Sequence, residues 1–399
     1  MGDDKAQLRY PVSFSGSGSE FFKIWIVNIT LTILTLYIYS AWAKVRTKRY
    51  FYRNTVLDGS SFEYHAKPLQ ILLSRMVAVL LFVAVTVGGA FNPLVPAIAT
   101  GVLLLIIPWA IWRSTIFNMR MTSYRNVRFG FDGSLWPVYF YQLVLPTVVY
   151  AFSAVGFYFW DQNNFSNEFL GIWIVVVILL NLILTAYTHK HLSSYFLSGY
   201  RFGKSRFSEE LSLSGFFKTY ALALLLAVGT LVALVFVMAI LYMPDGVGLP
   251  DSVESILDSM DTEGAEDPSR DAMLFFFEAL LIFYAYLFVV GYYVVALIRS
   301  RVRHHVFGQT SLDQRVNFES TVTATRLWWV MVSNVLLIIV TLGLARPFTQ
   351  VRMARLLARH STALSVVPLD NFVGKKRQEI SAFGDELGDA FDVDMDVGF

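Results

Sequence analysis

The stretch Asn28-Ile-Thr-Leu-Thr-Ile-Leu-Thr35-Leu-Tyr-Ile-Tyr-Ser-Ala-Trp42 recurs 306 positions later as Asn334-Val-Leu-Leu-Ile-Ile-Val-Thr341-Leu-Gly-Leu-Ala-Arg-Pro-Phe348. Beyond each copy Val45, Arg46, Arg49 and Arg53 match Val351, Arg352, Arg355 and Arg359. Arginines at i, i+3 and i+7 of a helix share one face. An apolar segment that runs into such a stripe is a membrane device, so the chain reads as a membrane protein closed at both ends by related units.

Composition supports that reading. Hydrophobic residues fill 55% of 399 positions, charged residues 16%, and mean hydropathy is +0.53. A soluble domain carries roughly 25% charge, so much of this surface must face lipid. Cysteine is absent, which excludes disulfides, thiolate metal sites and cysteine nucleophiles. Residues 1–20 lack the apolar core and small-residue site of a cleavable signal peptide.

Stretches of about 20 apolar residues, enough to cross a bilayer, fall at 69–89, 95–116, 135–160, 169–187, 216–243 and 272–298. They form three hairpins. Arg113, Arg120, Arg125 and Arg128 lie between the first two, and Lys190, Arg201, Lys204 and Arg206 between the next two, whereas Arg270 is the sole cation at the tips. The positive-inside bias makes the basic connections cytoplasmic. The repeated segments, 24–43 and 327–345, are short for spans and are interrupted by Asn28, Thr32, Thr35 and Ser40, or end at Gly343 and Pro347. If they dip in and return, or lie along the interface, 31 of the 32 Lys and Arg stay cytoplasmic.

The expected fold is therefore an all-α polytopic membrane protein: six full transmembrane helices as three hairpins, plus two partial, re-entrant or interfacial end segments. The alternative is eight full spans. The expected layout is a cytoplasmic N-terminal segment over 1–20, a membrane domain of repeated helical units over 21–367, and a flexible acidic cytoplasmic tail over 368–399. The cytoplasmic connections share a basic helix end, a short polar stretch and an aromatic residue. Asp58-Gly59 adds a tight-turn signal, so small hairpins are expected at that surface.

Phe14-Ser-Gly16-Ser-Gly18-Ser-Glu20-Phe-Phe22, then Asn28 and Thr35-Leu-Tyr-Ile-Tyr-Ser-Ala-Trp-Ala43, resemble the YjgN-like family of bacterial inner-membrane proteins (domain of unknown function 898). The resemblance runs from about residue 14 to about 369. The family usually carries Gly where this chain has Tyr37, a departure that argues against a tight turn there. The resemblance implies a multi-pass inner-membrane protein and brings no catalytic residues; the placement of charge, not the resemblance, puts both termini in the cytoplasm.

Candidate sites follow from residue type. Arg46, Arg49, Arg53, Arg352, Arg355 and Arg359 suit lipid phosphates or an anion path, at about 1 kcal/mol per basic residue near an anionic leaflet, or form an ordinary cytoplasmic rim. Glu278 is the one carboxylate well inside an expected span, where carboxylates often mark ion routes; it also lies close to an acidic outer loop. Asn28, Asn181 and Asn334 suit hydrogen bonds between helices. Pro108 and Pro146 interrupt spans, and Gly88-Gly89 permits close helix approach or a break. Acidic residues over 244–271 lack the spacing of a calcium loop, and no phosphate-binding, dinucleotide or nucleophile-elbow motif occurs.

No enzymatic activity and no cofactor are expected. The favoured function is a transporter or channel-like protein for a small solute or ion; the alternative is a non-enzymatic scaffold or partner subunit. The expected partners are membrane lipids, through anionic headgroups at the cytoplasmic face, and a second copy or another membrane protein. Nucleic acid is not among them.

Overall fold

Asp58 and Gly59 both take left-handed backbone, with φ 48° and 69°, the twist that a two-residue hairpin turn needs. Arg125-Asn126 and Asp313-Gln314 do the same with φ between 49° and 66°, and Gly203 opens a fourth turn at φ 58°. Each turn joins a strand of three residues to one of five: β2 (Thr55–Leu57) to β3 (Ser60–Tyr64), β4 (Thr122–Tyr124) to β5 (Val127–Phe131), β6 (Tyr200–Phe202) to β7 (Ser205–Glu209), and β8 (Thr310–Leu312) to β9 (Val316–Ser320). These hairpins do not stand alone. In the computed structural model, which describes residues 7–92, 94–163, 166–242 and 270–376, they join β1 (Leu8–Phe14) and β10 (Ser361–Ser365) in a closed antiparallel barrel of ten strands.

This barrel overturns the all-α class. Its closure depends on β1, which pairs with β10 over Leu8–Pro11 and with β2 over Val12–Phe14. Strands so short carry almost no periodic signal, and the partners of β1 and β10 lie some 350 residues apart. Closing the ring removes every exposed strand edge.

Between the hairpins the chain leaves the barrel as helix pairs: α1 (Gly18–Leu34) and α2 (Ser40–Asn54), α3 (Pro68–Phe91) and α4 (Leu94–Arg120), then α5 and α6 (Asn167–Gly199). Helix α5 runs Trp136–Tyr139, through a π-helical turn at Phe140–Val144, to Leu145–Asn163. Next come α7 (Leu213–Tyr242) and α8, which spans Arg270–Tyr286, a π-turn at Leu287–Gly291 and Tyr292–Gly308. Last are α9 (Ala324–Val340) and α10 (Arg346–Arg359). Because every neighbour in the ring is antiparallel, all the helix pairs start from one rim of the barrel and all four hairpin turns lie on the other.

Topology also corrects the span count. Val12 pairs with Leu57 across α1–α2, and Ser320 pairs with Ser361 across α9–α10, so each end segment leaves the barrel and returns to it. Eight full spans are excluded by that pairing. Five helices are long and apolar enough to cross a membrane by length and composition among the described residues: Leu94–Arg120, Trp136–Trp160, Glu168–Gly199, Leu213–Met238 and Phe277–Gly308. These five do not confirm the expected six; the remaining candidate, α3, is an apolar helix of 24 residues over Pro68–Phe91. The acidic stretch 243–269, the N-terminal 1–6 and the tail 377–399 lie outside the described residues.

The chain divides into two units. The larger takes 1–217, 303–322 and 337–399 and holds the whole barrel. Tyr124, Val127, Phe202, Leu312, Val316 and Ala363 fill its core, with Leu57, Phe62, Phe129, Phe207 and Phe318 packed around them. Leu369, Phe372 and Val373 complete it from a helix, α11, over 369–376. The flexible tail expected from 368 therefore begins in a packed helix. Two ion pairs clamp it: Arg125 Nη1 lies 2.5 Å from Asp370, and Lys376 Nζ lies 3.3 Å from Asp313. Arg125 also reaches Asp58 at 2.9 Å and the Ser60 hydroxyl at 2.8 Å, so one guanidinium ties two strand turns to α11.

In the helices of this unit, Gly88 and Gly89 continue α3 while a Cβ at either would come within 2.9 Å of Val95 or Pro96. Close approach is their role. Pro108 is buried in α4, and the nearby Leu105 carbonyl accepts the Tyr139 hydroxyl at 2.6 Å. The smaller unit takes 218–302 and 323–336. There the Trp328 indole N–H donates to Val289 O at 2.9 Å, a carbonyl in the π-turn of α8.

Candidate anion-binding cleft

Phe21, Trp25, Asn28, Ile29, Thr32 and Ile33 recur at the three- and four-residue spacing that puts them on one face of α1. Ser40, Ala43, Lys44, Thr47 and Lys48 do the same on α2. Tight turning at 35–39 brings the two faces together: Leu36 and Tyr37 are left-handed (φ 47° and 74°), and Tyr37 N–H donates to Thr32 O at 2.7 Å. The tight turn thus forms despite a tyrosine. With Arg75 of α3 and Arg346 and Gln350 of α10, these faces wall an open cavity of about 880 Å³.

Asn28 is the anomaly in that wall. It is 4% exposed, yet among the described residues neither its amide nitrogen nor its amide oxygen has a hydrogen-bond partner. A buried polar group left unpaired costs about 1–3 kcal/mol, and such groups are rare. The charge balance is equally one-sided. Lys44, Lys48, Arg75 and Arg346 line the cavity and no carboxylate does.

Each cation is held differently. Arg75 donates to the Ser40 hydroxyl and lies 5.8 Å from the centroid of the Tyr37 ring. Lys48 donates to Asn118 Oδ1 at 2.5 Å and sits 4.9 Å from the Tyr64 ring. Burial, with Lys44 alongside, lowers its pKa. Lys44 and Arg346 are exposed.

The expected arginines fall on another face. Arg46, Arg49 and Arg53 line a smaller cleft of about 430 Å³ with Trp42, Tyr50 and Asn54. Arg49 donates to Tyr64 O and Ala66 O at 3.3 and 3.1 Å. Its counterpart Arg355 donates to Gly16 O at 2.9 Å. The middle arginine of each stripe therefore staples a helix to backbone carbonyls; Arg46, Arg53, Arg352 and Arg359 are exposed, as is Arg49 itself. Asn181 donates to Val177 O of its own helix at 2.9 Å. Asn334 is buried in α9 and Glu278 is exposed on α8, both in the smaller unit. Of the expected residues only Asn28 reaches the larger cavity. Arg75 was detectable as the cation inside the stretch 69–89; Lys44 and Lys48 were hidden beside the more regular arginine stripe.

The pattern that defines a family described as a bacterial protein of unknown function (DUF898) matches residues 9–390. The chain belongs to the DUF898 family. Similar members include the inner membrane protein YjgN of Salmonella typhimurium strain LT2, 26% identical over 372 residues, covering 90% of this chain and 89% of that protein. The YjgN proteins of Escherichia coli O157:H7 and K12 are 26% and 25% identical over 382 residues, covering 93% of this chain and 92% of each. No solved structure matches. With its membrane-length apolar helices, this DUF898 chain is a multi-pass membrane protein.

Proposed function

We propose that this DUF898 protein binds a small anionic solute in the cleft between α1, α2, α3 and α10, as the recognition step of a transporter in the inner membrane. The observation that carries the reading is the unpartnered Asn28 amide, buried in a wall that holds four cations and no carboxylate. A free amide N–H₂ and a local excess of positive charge both suit an oxyanion. The barrel, whose connections hold the basic residues, faces the cytoplasm on the positive-inside bias, with both termini on that side. Binding involves no covalent chemistry.

Titration of the full chain in nanodiscs with inorganic phosphate tests the reading, followed by uptake of labelled phosphate into proteoliposomes. Saturable binding that weakens with Lys44→Gln and Arg346→Gln is expected. Binding no tighter than to empty nanodiscs, at low salt, would overturn it.

A non-transporting scaffold is favoured by one observation: the barrel core is packed with apolar side chains, among them Val127, Phe202 and Leu312, together with Leu369, Phe372 and Val373 of α11. On that reading a second membrane protein copurifies with the intact chain and no solute crosses the proteoliposome.

A further inference from the structure

We infer that the anion taken by this cleft is the phosphate of a membrane phospholipid, held with its acyl chain against α1. The inference rests on the proposed anion-binding reading and narrows it. Its basis is how polarity is distributed along the cavity. Helix α1 contributes an apolar track, Trp25, Ile29, Ile33 and Leu36. The track ends at a hairpin tip where Ile33, Leu36 and Tyr37 are 70%, 89% and 65% exposed. Leu34 and Ile38 beside it are 72% and 57% exposed. Apolar side chains so bare, in a membrane protein, are solvated by hydrocarbon.

Lys44 and Lys48 lie on the barrel side of that tip, whereas the Arg75 guanidinium reaches Ser40 and the Tyr37 ring at the tip itself. Ser40 opens α2, and Lys44 and Lys48 follow one and two turns down, about 6 and 12 Å at a rise of 1.5 Å per residue. Asn28 stands six residues back from Leu34 along α1, about 9 Å by the same rise, which sets it between the levels of Lys44 and Lys48. A single cavity of about 880 Å³ therefore offers Lys44, Asn28 and Lys48 between about 6 and 12 Å below the tip and an apolar track leading from there into lipid. A lone inorganic anion needs only the first of these. A glycerophospholipid needs both, and its order of groups is the same: phosphate at the level of the lysines, chains toward the tip. Ligand pockets of 300–1,000 Å³ take molecules or chain segments of that size.

Lipid retention on the intact chain distinguishes the sources of the phosphate. The protein is purified from nanodiscs of phosphatidylcholine with phosphatidylglycerol, and bound lipid is counted by native mass spectrometry for wild type, Asn28→Leu and Lys44→Gln/Arg346→Gln. Wild type is expected to retain phosphatidylglycerol. The double variant should retain it about tenfold more weakly, on the loss of charge-assisted hydrogen bonds. Asn28→Leu should weaken retention while raising the melting temperature in lipid-free detergent, because it removes an unpaired buried amide. An Asn28 with a purely structural role would melt lower on substitution. If wild type binds inorganic phosphate in the titration but retains no lipid above the level of Asn28→Leu, the lipid assignment fails and the anion reading stands. If neither binds, both fail.

Discussion

Thr35 and Thr341 build the same turn near opposite ends of the chain. Each hydroxyl donates to the carbonyl four residues back, Leu31 or Leu337, at 2.7 Å, and each accepts the N–H four residues on, Tyr39 at 2.9 Å or Ala345 at 3.0 Å. Around them Leu36 and Leu342 are left-handed at φ 47° and 50°, followed by Tyr37 and Gly343 at 74° and 92°. Each of the two turns reverses a helix at an exposed apolar tip and sends it back to the barrel.

Gly343 supplies the conformational freedom of the second turn. A Cβ there would meet nothing within 4 Å, so Gly343→Ala tests backbone strain alone. It is expected to cost roughly 1–2 kcal/mol, read as a lower melting temperature by circular dichroism in detergent. Thr341→Val should cost about 1 kcal/mol more than a surface change, because the Ala345 N–H loses its acceptor.

The two arginine stripes divide their labour. Arg49→Ala and Arg355→Ala each remove a charged donor from backbone carbonyls and should destabilise by roughly 1.5–3 kcal/mol. Arg46→Ala and Arg359→Ala, at exposed positions, should fall within about 0.5 kcal/mol of wild type. Four melting curves decide it; equal losses at all four would show that the stripes act as one rim.

Arg125 is expected to govern access to the barrel core. Arg125→Ala leaves Asp58 and Asp370 without their guanidinium and releases one end of α11. Arg125→Lys restores one charge but not four donors. Limited proteolysis should cut near 369–376 faster in both variants, more in the alanine variant, with Phe372→Ala as a comparison that empties the core directly at about 3–5 kcal/mol.

Alkaline pH should open the same barrel. Burial raises the Tyr124 hydroxyl pKa to about 12, and burial followed by Tyr52 raises Tyr64 to about 12. Both lie above the ordinary value near 10, so their contribution is complete below about pH 10 and is lost as pH rises toward 12. Tyrosinate absorbance and the unfolding midpoint should move together in that window; a midpoint flat from pH 9 to 12 would contradict the burial of these rings.

Much of this architecture was legible from apolar length and charge placement, since both report on long helices. The helix pairs follow the expected stretches, and Asp58-Gly59 marks its hairpin. The barrel was not legible. Strands such as Thr55–Leu57 and Thr310–Leu312 are too short to show alternation, and their partners come from other connections, so local sequence offers hairpins but not the ring. The cleft was half visible: Asn28 stood out as a polar residue in an apolar repeat, whereas Arg75 and Arg346 come from other helices and join it only in three dimensions. Tyr37 misled because its side chain argues against a backbone that the Thr35 bonds enforce.

The ring depends on one long-range pairing, and the cysteine-free chain lets it be tested alone. Arg9 faces Leu364 across β1 and β10. A chain carrying Arg9→Cys and Leu364→Cys, oxidised in native membranes, is expected to form an internal disulfide and migrate as a cross-linked monomer, since directly paired strand positions fall within disulfide reach. The same oxidation of Arg9→Cys with Ser208→Cys, across the ring, should give none. No cross-link in the first pair, or equal yield in both, would contradict a barrel closed by the two ends of the chain.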